Sequence, residues 1–122
     1  MARKFELDLT LPYPVSVNQY YRAIVRGRIC CSILSKKGRE FKERVANLVS
    51  DIQAQPTDKP VMVIIKIYPP TRRKFDVDNM LKSLLDSLIG IAYVDDEQIR
   101  CLAVSKEEVV KGGKTEIKIK EI

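Results

Sequence analysis

The sequence predicts one α+β domain, residues 1–122, in which a mixed β-sheet packs with about two α-helices. Three observations predict this class. A length of 122 residues is typical of a single domain. A hydrophobic content of 45% supplies a core, and a charged content of 31% covers its surface. Stretches in which apolar and polar side chains alternate flank two stretches of helical periodicity, and this pattern is typical of helices packed on a sheet.

The first half of the chain predicts three strands and a helix. Residues 4–11 alternate apolar and polar side chains, which indicates a half-buried strand. Residues 20–33 are rich in aromatic and β-branched side chains on both sides of Gly27, which indicates a basic hairpin. Ser35 can cap a helix that continues to about residue 53. The apolar stripe of this helix comprises Phe41, Val45, Leu48, Val49 and Ile52.

The second half predicts a strand, a helix and two further strands. Residues 61–68 are nearly all apolar, which indicates a strand covered on both faces. Residues 78–89 show helical periodicity and end at Gly90, a residue that often follows a helix. Residues 99–109 and 115–121 read as strands joined by a glycine-containing turn. The predicted order is β-β-β-α-β-α-β-β.

Residue types that are absent exclude several chemistries. The chain has no histidine, which excludes Ser-His and Cys-His nucleophile pairs and the usual nitrogen ligands of zinc. The odd cysteine count predicts that Cys30, Cys31 and Cys101 are reduced core residues. A metal would therefore be held by oxygen, which indicates Mg²⁺, Mn²⁺ or Ca²⁺. The chain shows neither a membrane-length apolar stretch nor a signal-peptide core, so we expect a cytoplasmic protein without membrane contact.

The net charge of +6 averages two segments of opposite sign. Residues 20–44 contain eight basic and two acidic side chains, whereas residues 76–100 contain six acidic and two basic ones. A protein that only coats nucleic acid has no evident use for concentrated carboxylates, because its affinity comes from neutralising phosphates. A nuclease needs both cations for the backbone and carboxylates for a divalent metal. The pattern favours a nuclease, with ordinary mixed surface charge as the alternative.

The carboxylates of greatest interest are Asp76 and Asp78, at a predicted loop-to-helix junction. If the chain is still extended there, both point the same way and could share a metal ion. Lys82 would lie one helical turn beyond Asp78, on the same face. Asp95 and Asp96 follow the helix and could return a third carboxylate to the site. The basic run before this junction consists of Arg72, Arg73 and Lys74.

Each of these residues also has a purely structural interpretation. Asp78 could cap the helix and form a surface ion pair with Lys82. The two later aspartates could simply form a turn. An EF-hand loop that begins at Asp76 is excluded, because its glycine and glutamate positions hold Leu81 and Ser87.

The order of these motifs resembles the RusA family of Holliday junction resolvases, small endonucleases common in prophages. The resemblance covers nearly the whole chain. Its motifs are Leu11-Pro12-Tyr13-Pro14, Asn18-Gln19-Tyr20-Tyr21-Arg22, Arg72-Arg73 through Asp76-Val77-Asp78-Asn79 to Lys82, then Asp86, Val94-Asp95-Asp96 with Gln98, and Lys111-Gly112-Gly113.

The resemblance implies that Asp76, Asp78 and Asp96 are the essential acids and the metal ligands, and that Lys82 is the essential lysine. Asp95 matches a neighbouring acid whose role is less settled. The resemblance further implies Mg²⁺ or Mn²⁺, no small-molecule cofactor, and a homodimer that binds four-way DNA junctions and nicks two opposed strands. The residues we assign to DNA contact are Arg72, Arg73, Lys74, Asn18, Tyr21, Arg22, Arg26 and Arg28.

A dimer also has a physical reason. Two symmetric nicks need two sites, and a two-fold axis supplies them from one gene product. Two alternatives to a junction-resolving enzyme remain open. One is a nuclease of the same chemistry that acts on other branched or single-stranded substrates. The other is a non-catalytic, structure-selective DNA-binding dimer.

Overall fold

The structure, a computed structural model, describes residues 5–50 and 55–122. It contains six strands and three α-helices in the described residues, with a short 3₁₀ turn at Asp96–Gln98. In chain order they are β1 (Glu6–Leu11), α1 (Val17–Tyr20), β2 (Tyr21–Arg26), β3 (Ile29–Leu34), α2 (Lys36–Val49), β4 (Val61–Tyr68), α3 (Val77–Ser87), β5 (Ile99–Lys106) and β6 (Lys114–Glu121).

Four strands form one mixed sheet in the order β1-β6-β4-β5. The β1–β6 and β6–β4 pairs are antiparallel, whereas β4 and β5 are parallel and are connected through α3. The register places Leu7, Ile119 and Val63 side by side across three strands. The α+β class with a mixed sheet is therefore confirmed.

The core lies between one face of this sheet and helices α2 and α3. Every second residue of β1, β4 and β6 is buried, as the alternation in β1 predicts. Helix α3 contributes Leu84 to the core, and Leu88, the residue that follows this helix, is also buried there. Helix α2 contributes Phe41, Val45 and Val49. Leu48, predicted to face inward, is instead 52% exposed, because it lies outside the arc that contacts the sheet. The predicted core residue Ile52 lies outside the described residues.

None of the helices in residues 5–50 and 55–122 packs on the opposite face of the sheet, so the prediction that β4 is covered on both faces is wrong. Alternate β4 residues are fully buried, whereas Lys66 on the other face is exposed. A shallow concavity of about 550 Å³ lies on this open face, where it is lined by residues such as Ile64, Lys66 and Lys118. The high apolar content of β4 therefore reflects one deeply buried face and one half-buried face.

The hairpin β2–β3 pairs only with itself and forms a separate two-stranded sheet. The predicted basic hairpin is confirmed, but it is not part of the main sheet. Helix α1 was not predicted, because four residues show no helical periodicity. Cys30 and Cys101 are exposed and Cys31 is half-buried, so the prediction of core cysteines is wrong; all three are free thiols. Within the two described ranges, no helix is long and apolar enough to cross a membrane.

Candidate active site

The candidate site begins where α3 begins. Asp76 is the residue that precedes the helix, with extended backbone angles (φ −93°, ψ 131°), and Asp78 lies in the first turn. Both side chains are exposed. The condition under which both carboxylates would point the same way, an extended backbone from Asp76 to Asp78, is not met, because the helix already begins at Val77. The amino end of the helix nevertheless favours negative charge at both positions.

Lys82 lies one turn beyond Asp78 on the same helix, as predicted, and is exposed. An ion pair with Asp78 or Asp86 would have given Lys82 a purely structural role. Neither pair is among the ion pairs of the described residues. Asp86, the other carboxylate within reach along the helix, instead has its Oδ2 3.6 Å from Nζ of Lys42. The ammonium group of Lys82 therefore has no carboxylate partner in the part of the chain that the structure describes.

Asp95 and Asp96 occupy a tight turn before β5. Asp95 precedes the 3₁₀ turn, and its backbone N–H donates to Oε1 of Gln98 at 2.8 Å. The amide nitrogen of Gln98 in turn donates to the carbonyls of Thr57 and Lys59, at 2.8 and 2.9 Å. Gln98 thus fixes the aspartate turn to the loop before β4. The turn holds Asp95 exposed and Asp96 half-buried, directly before β5.

The two groups of carboxylates lie near opposite ends of β5. Lys106, the last residue of β5, donates from Nζ to the carbonyl of Phe75 at 2.6 Å, directly before Asp76. Asp96 lies just before the first residue of β5. Eight residues of strand span about 25 Å. Accordingly, residues 5–50 and 55–122 contain no group of three acidic or cysteine side chains able to hold one metal ion. Within these residues the structure does not group Asp96 with Asp76 and Asp78.

A cavity of about 460 Å³ adjoins Asp76. It brings together three segments that are distant in sequence: the proline-rich turn after β1, helix α1, and the basic loop before α3. The side chains around it include Tyr13, Pro14, Gln19, Arg73, Lys74 and Asn79. The cavity therefore combines an apolar wall with cations and amides next to a candidate metal ligand. Such a surface can hold a nucleotide beside the carboxylates.

Phe75 organises the edge of this cavity. Its ring meets the ring of Tyr13 edge to face, with centroids 6.1 Å apart. The ammonium of Lys106 lies 4.6 Å from the Phe75 centroid, in a cation–π arrangement. Lys106 was not predicted as a site residue, because no local pattern links it to a loop that precedes it by about thirty residues. Because β5 runs parallel to β4, its last residue lies near the loop that follows β4, and Lys106 adds a positive charge beside Asp76.

Tyr20, which belongs to a family motif but was given no role from the sequence, connects α1 to α3. Its side chain is fully buried and its hydroxyl donates to Oδ2 of Asp86. Burial, reinforced by the hydrogen bond to Asp86, raises the pKa of the Tyr20 phenol far above its usual value. Tyr93 is likewise buried and donates to the carbonyl of Leu85 at 2.5 Å. Both tyrosines therefore anchor to the carboxyl-terminal end of α3.

The predicted DNA-contact residues occupy two exposed regions. Arg72, Arg73 and Lys74 lie in the loop between β4 and α3 and are all exposed. Asn18 is exposed on α1, and Tyr21 is half-buried at the start of β2. The exposed hairpin cations are Arg22, Arg26 and Arg28. The structure therefore leaves the charged members of this set accessible, and brings Arg73 and Lys74 to the cavity.

Comparison with known proteins identifies the family. The family model described as Endodeoxyribonuclease RusA matches residues 12–120. Proteins named crossover junction endodeoxyribonuclease RusA from Escherichia coli K12 and Shigella sonnei are each 34% identical over 117 residues, covering 94% of both chains. The protein of that name from Enterobacteria phage 82 is 34% identical over 116 residues, covering 93% of both chains. The chain therefore belongs to the RusA family of endodeoxyribonucleases.

Proposed function

We propose that this protein is a metal-dependent, structure-selective endodeoxyribonuclease that resolves Holliday junctions by paired symmetric nicks, in DNA recombination and repair. The observation that carries the proposal is the start of α3. There Asp76, Asp78 and Lys82 are all exposed, and Lys82 has no carboxylate partner among the described ion pairs. Relatives that align over nearly their whole length are named crossover junction endodeoxyribonucleases.

The donor groups fit a hard divalent cation. Asp76, Asp78 and Asp96 would supply carboxylate oxygens, the ligands that Mg²⁺ prefers and that Mn²⁺ also accepts. When bound, such an ion polarises phosphate oxygens and lowers the pKa of a water molecule. Lys82 offsets the negative charge that develops on the phosphate in the transition state. No small-molecule cofactor is needed for this chemistry.

A homodimer would complete the ligand set. Because Asp96 and the Asp76–Asp78 pair lie at opposite ends of β5, each chain offers two incomplete half-sites. A second chain related by a two-fold axis can bring its Asp96 to the first chain's Asp76 and Asp78, and the same axis then creates a second, identical site. Two equivalent sites are what two symmetric nicks require.

The basic residues would hold the junction arms. Arg73 and Lys74 line the cavity beside Asp76 and place positive charge next to the carboxylates. This arrangement offsets the repulsion between an acidic site and the DNA backbone. Arg72, Asn18 and Tyr21 extend the surface along the loop and α1, and the hairpin arginines extend it further.

The decisive experiment compares the wild type with Asp76→Asn on a four-way junction, with and without magnesium. We expect the wild type alone to cut, only with the metal, and Asp76→Asn to bind the junction as well as or better than the wild type. Asp8→Asn is the matched control, because Asp8 is an exposed carboxylate on β1 that lines the concavity on the open face of the sheet.

Two outcomes would replace the proposal. If both proteins bind the junction and neither cuts, the protein is a structure-selective binding dimer. If the wild type cuts flaps or single strands in preference to four-way junctions, the chemistry stands and the substrate is different.

A further inference from the structure

The hairpin β2–β3 projects from the domain as a separate ribbon. It shares no strand pairing with the four-stranded sheet. Its base is fixed by the buried Tyr20, whose carbonyl accepts from the backbone N–H of Ser35 at 2.9 Å. The turn at its far end is short, and Gly27 takes a left-handed φ of 64° at the first turn position, as two-residue hairpin turns require. The ribbon is therefore anchored at one end and free at the other.

The free end is apolar as well as basic. Val25 and Ile29 are the two most exposed large hydrophobic side chains in the part of the chain that the structure describes, at 72% and 65%. Arg26 pairs directly with Ile29, and Val25 pairs with Cys30. Because directly paired residues share a face, Val25 and Ile29 point to opposite faces of the tip. The tip is thus a thin wedge with an aliphatic side chain on each face.

The charge of the ribbon indicates its partner. Residues 21–34 contain three arginines and no acidic residue. The ribbons of two copies of this chain would repel each other if they met tip to tip, whereas DNA phosphates attract the same arginines. A β-ribbon also fits into a DNA groove, and proteins that bend DNA insert aliphatic side chains between base steps. Charge complementarity therefore selects DNA as the occupant of this surface.

Resting on the function proposed above, we propose that the hairpin tip enters the centre of the four-way junction, with Val25 and Ile29 against the faces of base pairs at the branch point. A base pair at the branch is cheaper to unstack than one inside a continuous duplex, because part of its stacking is already interrupted. Contacts that depend on such exposed base faces favour a junction over linear DNA. The arginines alone would not, since every duplex presents phosphates.

The test measures binding and base unstacking in parallel, without divalent metal. Junctions carry 2-aminopurine at the branch point or well inside one arm, and linear duplex serves as competitor. We expect wild-type binding to raise the branch-point fluorescence. Val25→Ser/Ile29→Ser should abolish most of this signal. The variant's preference for junction over duplex should fall about tenfold for each aliphatic side chain that no longer covers a base.

Two control proteins separate the apolar wedge from the charge and from general surface effects. Arg26→Gln/Arg28→Gln should weaken junction and duplex binding alike and flatten the salt dependence. Leu48→Ser/Ile122→Ser removes two exposed aliphatic side chains on other parts of the surface and should leave both readouts unchanged.

The inference is overturned if Val25→Ser/Ile29→Ser keeps the wild-type selectivity and fluorescence. It is also overturned if that variant sediments as a monomer where the wild type is a dimer, because the tip would then be a contact between copies of the chain. In either case, the proposed function still stands if the wild-type protein cuts junctions with magnesium. If the wild type neither prefers nor cuts junctions, both proposals fail.

Discussion

At the scale of single residues, the site is distinguished by polar groups that the fold leaves unpaired. Helix surfaces commonly pair charges four residues apart. Lys82 has a carboxylate four residues away in both directions, yet the ion pairs of the described residues do not include it. Asp86 is instead held by Tyr20 and Lys42. The arrangement leaves the Lys82 ammonium available to a phosphate.

We expect Lys82→Ala to reduce the single-turnover cleavage rate by about 10²- to 10³-fold, because one preorganised charge at the developing oxyanion is worth that much. Lys82→Arg should recover part of the rate, since it keeps the charge. Junction affinity should change little in either variant. Lys66→Ala, on the open face of the sheet, is the control. A wild-type rate in Lys82→Ala would remove Lys82 from the site.

Gly113 supports the wall of the cavity and offers a second test at this scale. A methyl group there would lie 2.9 Å from Cβ of Tyr13 and 3.1 Å from Cδ of Pro70, whereas one at Gly112 meets nothing within 4 Å. Both glycines have left-handed backbones, with φ of 68° and 80°. Gly112→Ala therefore isolates the cost of a left-handed backbone for an L-residue, about 1–2 kcal/mol. The clash with Tyr13 is specific to Gly113→Ala.

We expect urea unfolding to show a larger stability loss for Gly113→Ala than for Gly112→Ala. Junction cleavage should fall only in Gly113→Ala, because only that variant displaces Tyr13 beside Asp76. Equal stability and equal cleavage in the two variants would show that the cavity wall tolerates the shift.

At the scale of elements, periodicity predicted the strands and the long helices well. Residues 4–11 and 115–121 alternate as β1 and β6 do, and Ser35 caps α2 by accepting from the Gly38 N–H at 3.0 Å. The sequence did not predict α1, which is too short for a period, or the exposure of Leu48. Nor could it predict where Asp96 lies relative to Asp76, because that distance depends on the direction of β5 beside β4.

The contact between α1 and α3 makes a prediction about how the hairpin is held. Tyr20→Phe removes the hydroxyl that donates to Asp86 and leaves the ring in place. We expect the free energy of unfolding to fall by about 1–3 kcal/mol, the cost of removing a hydrogen bond to a part-buried carboxylate. Hydrogen exchange should become faster in β2 and β3, because the base of the ribbon is loosened.

Tyr21→Phe is the matched control for stability, because Tyr21 is the adjacent tyrosine, is only half-buried and packs edge to face on Tyr20. Tyr20→Phe with unchanged stability and unchanged exchange in the hairpin would show that α1 is held by packing alone.

At the scale of the whole molecule, the position of the carboxylates connects the fold to the proposed dimer. In one chain the Asp76–Asp78 pair lies near the last residue of β5, whereas Asp96 lies just before its first residue. The net charge of +6 does not show this, because it averages the basic segment and the acidic one. Under the function proposed above, a metal site made of all three aspartates would combine two chains. A shared site of this kind predicts a pattern of complementation that a complete site within one chain does not.

We expect a heterodimer of Asp76→Asn and Asp96→Asn chains to regain nicking that neither homodimer has. In a site shared between chains, one site of this heterodimer collects both substitutions and the other collects neither. The intact site should nick a single strand at about half the wild-type rate, with few paired cuts. Differently tagged chains, co-expressed and purified through both tags, supply the heterodimer, and nicking of a supercoiled cruciform plasmid measures it.

The control is a heterodimer of Asp76→Asn and Asp78→Asn chains. Both substitutions lie in the same half-site, so each shared site would carry one of them and the heterodimer should be inactive. If each chain held its own complete site, the Asp76→Asn and Asp96→Asn heterodimer would be as inactive as this control. Activity in the first heterodimer and not in the second therefore requires that Asp96 acts on the partner chain's site, since no arrangement within single chains distinguishes the two pairs.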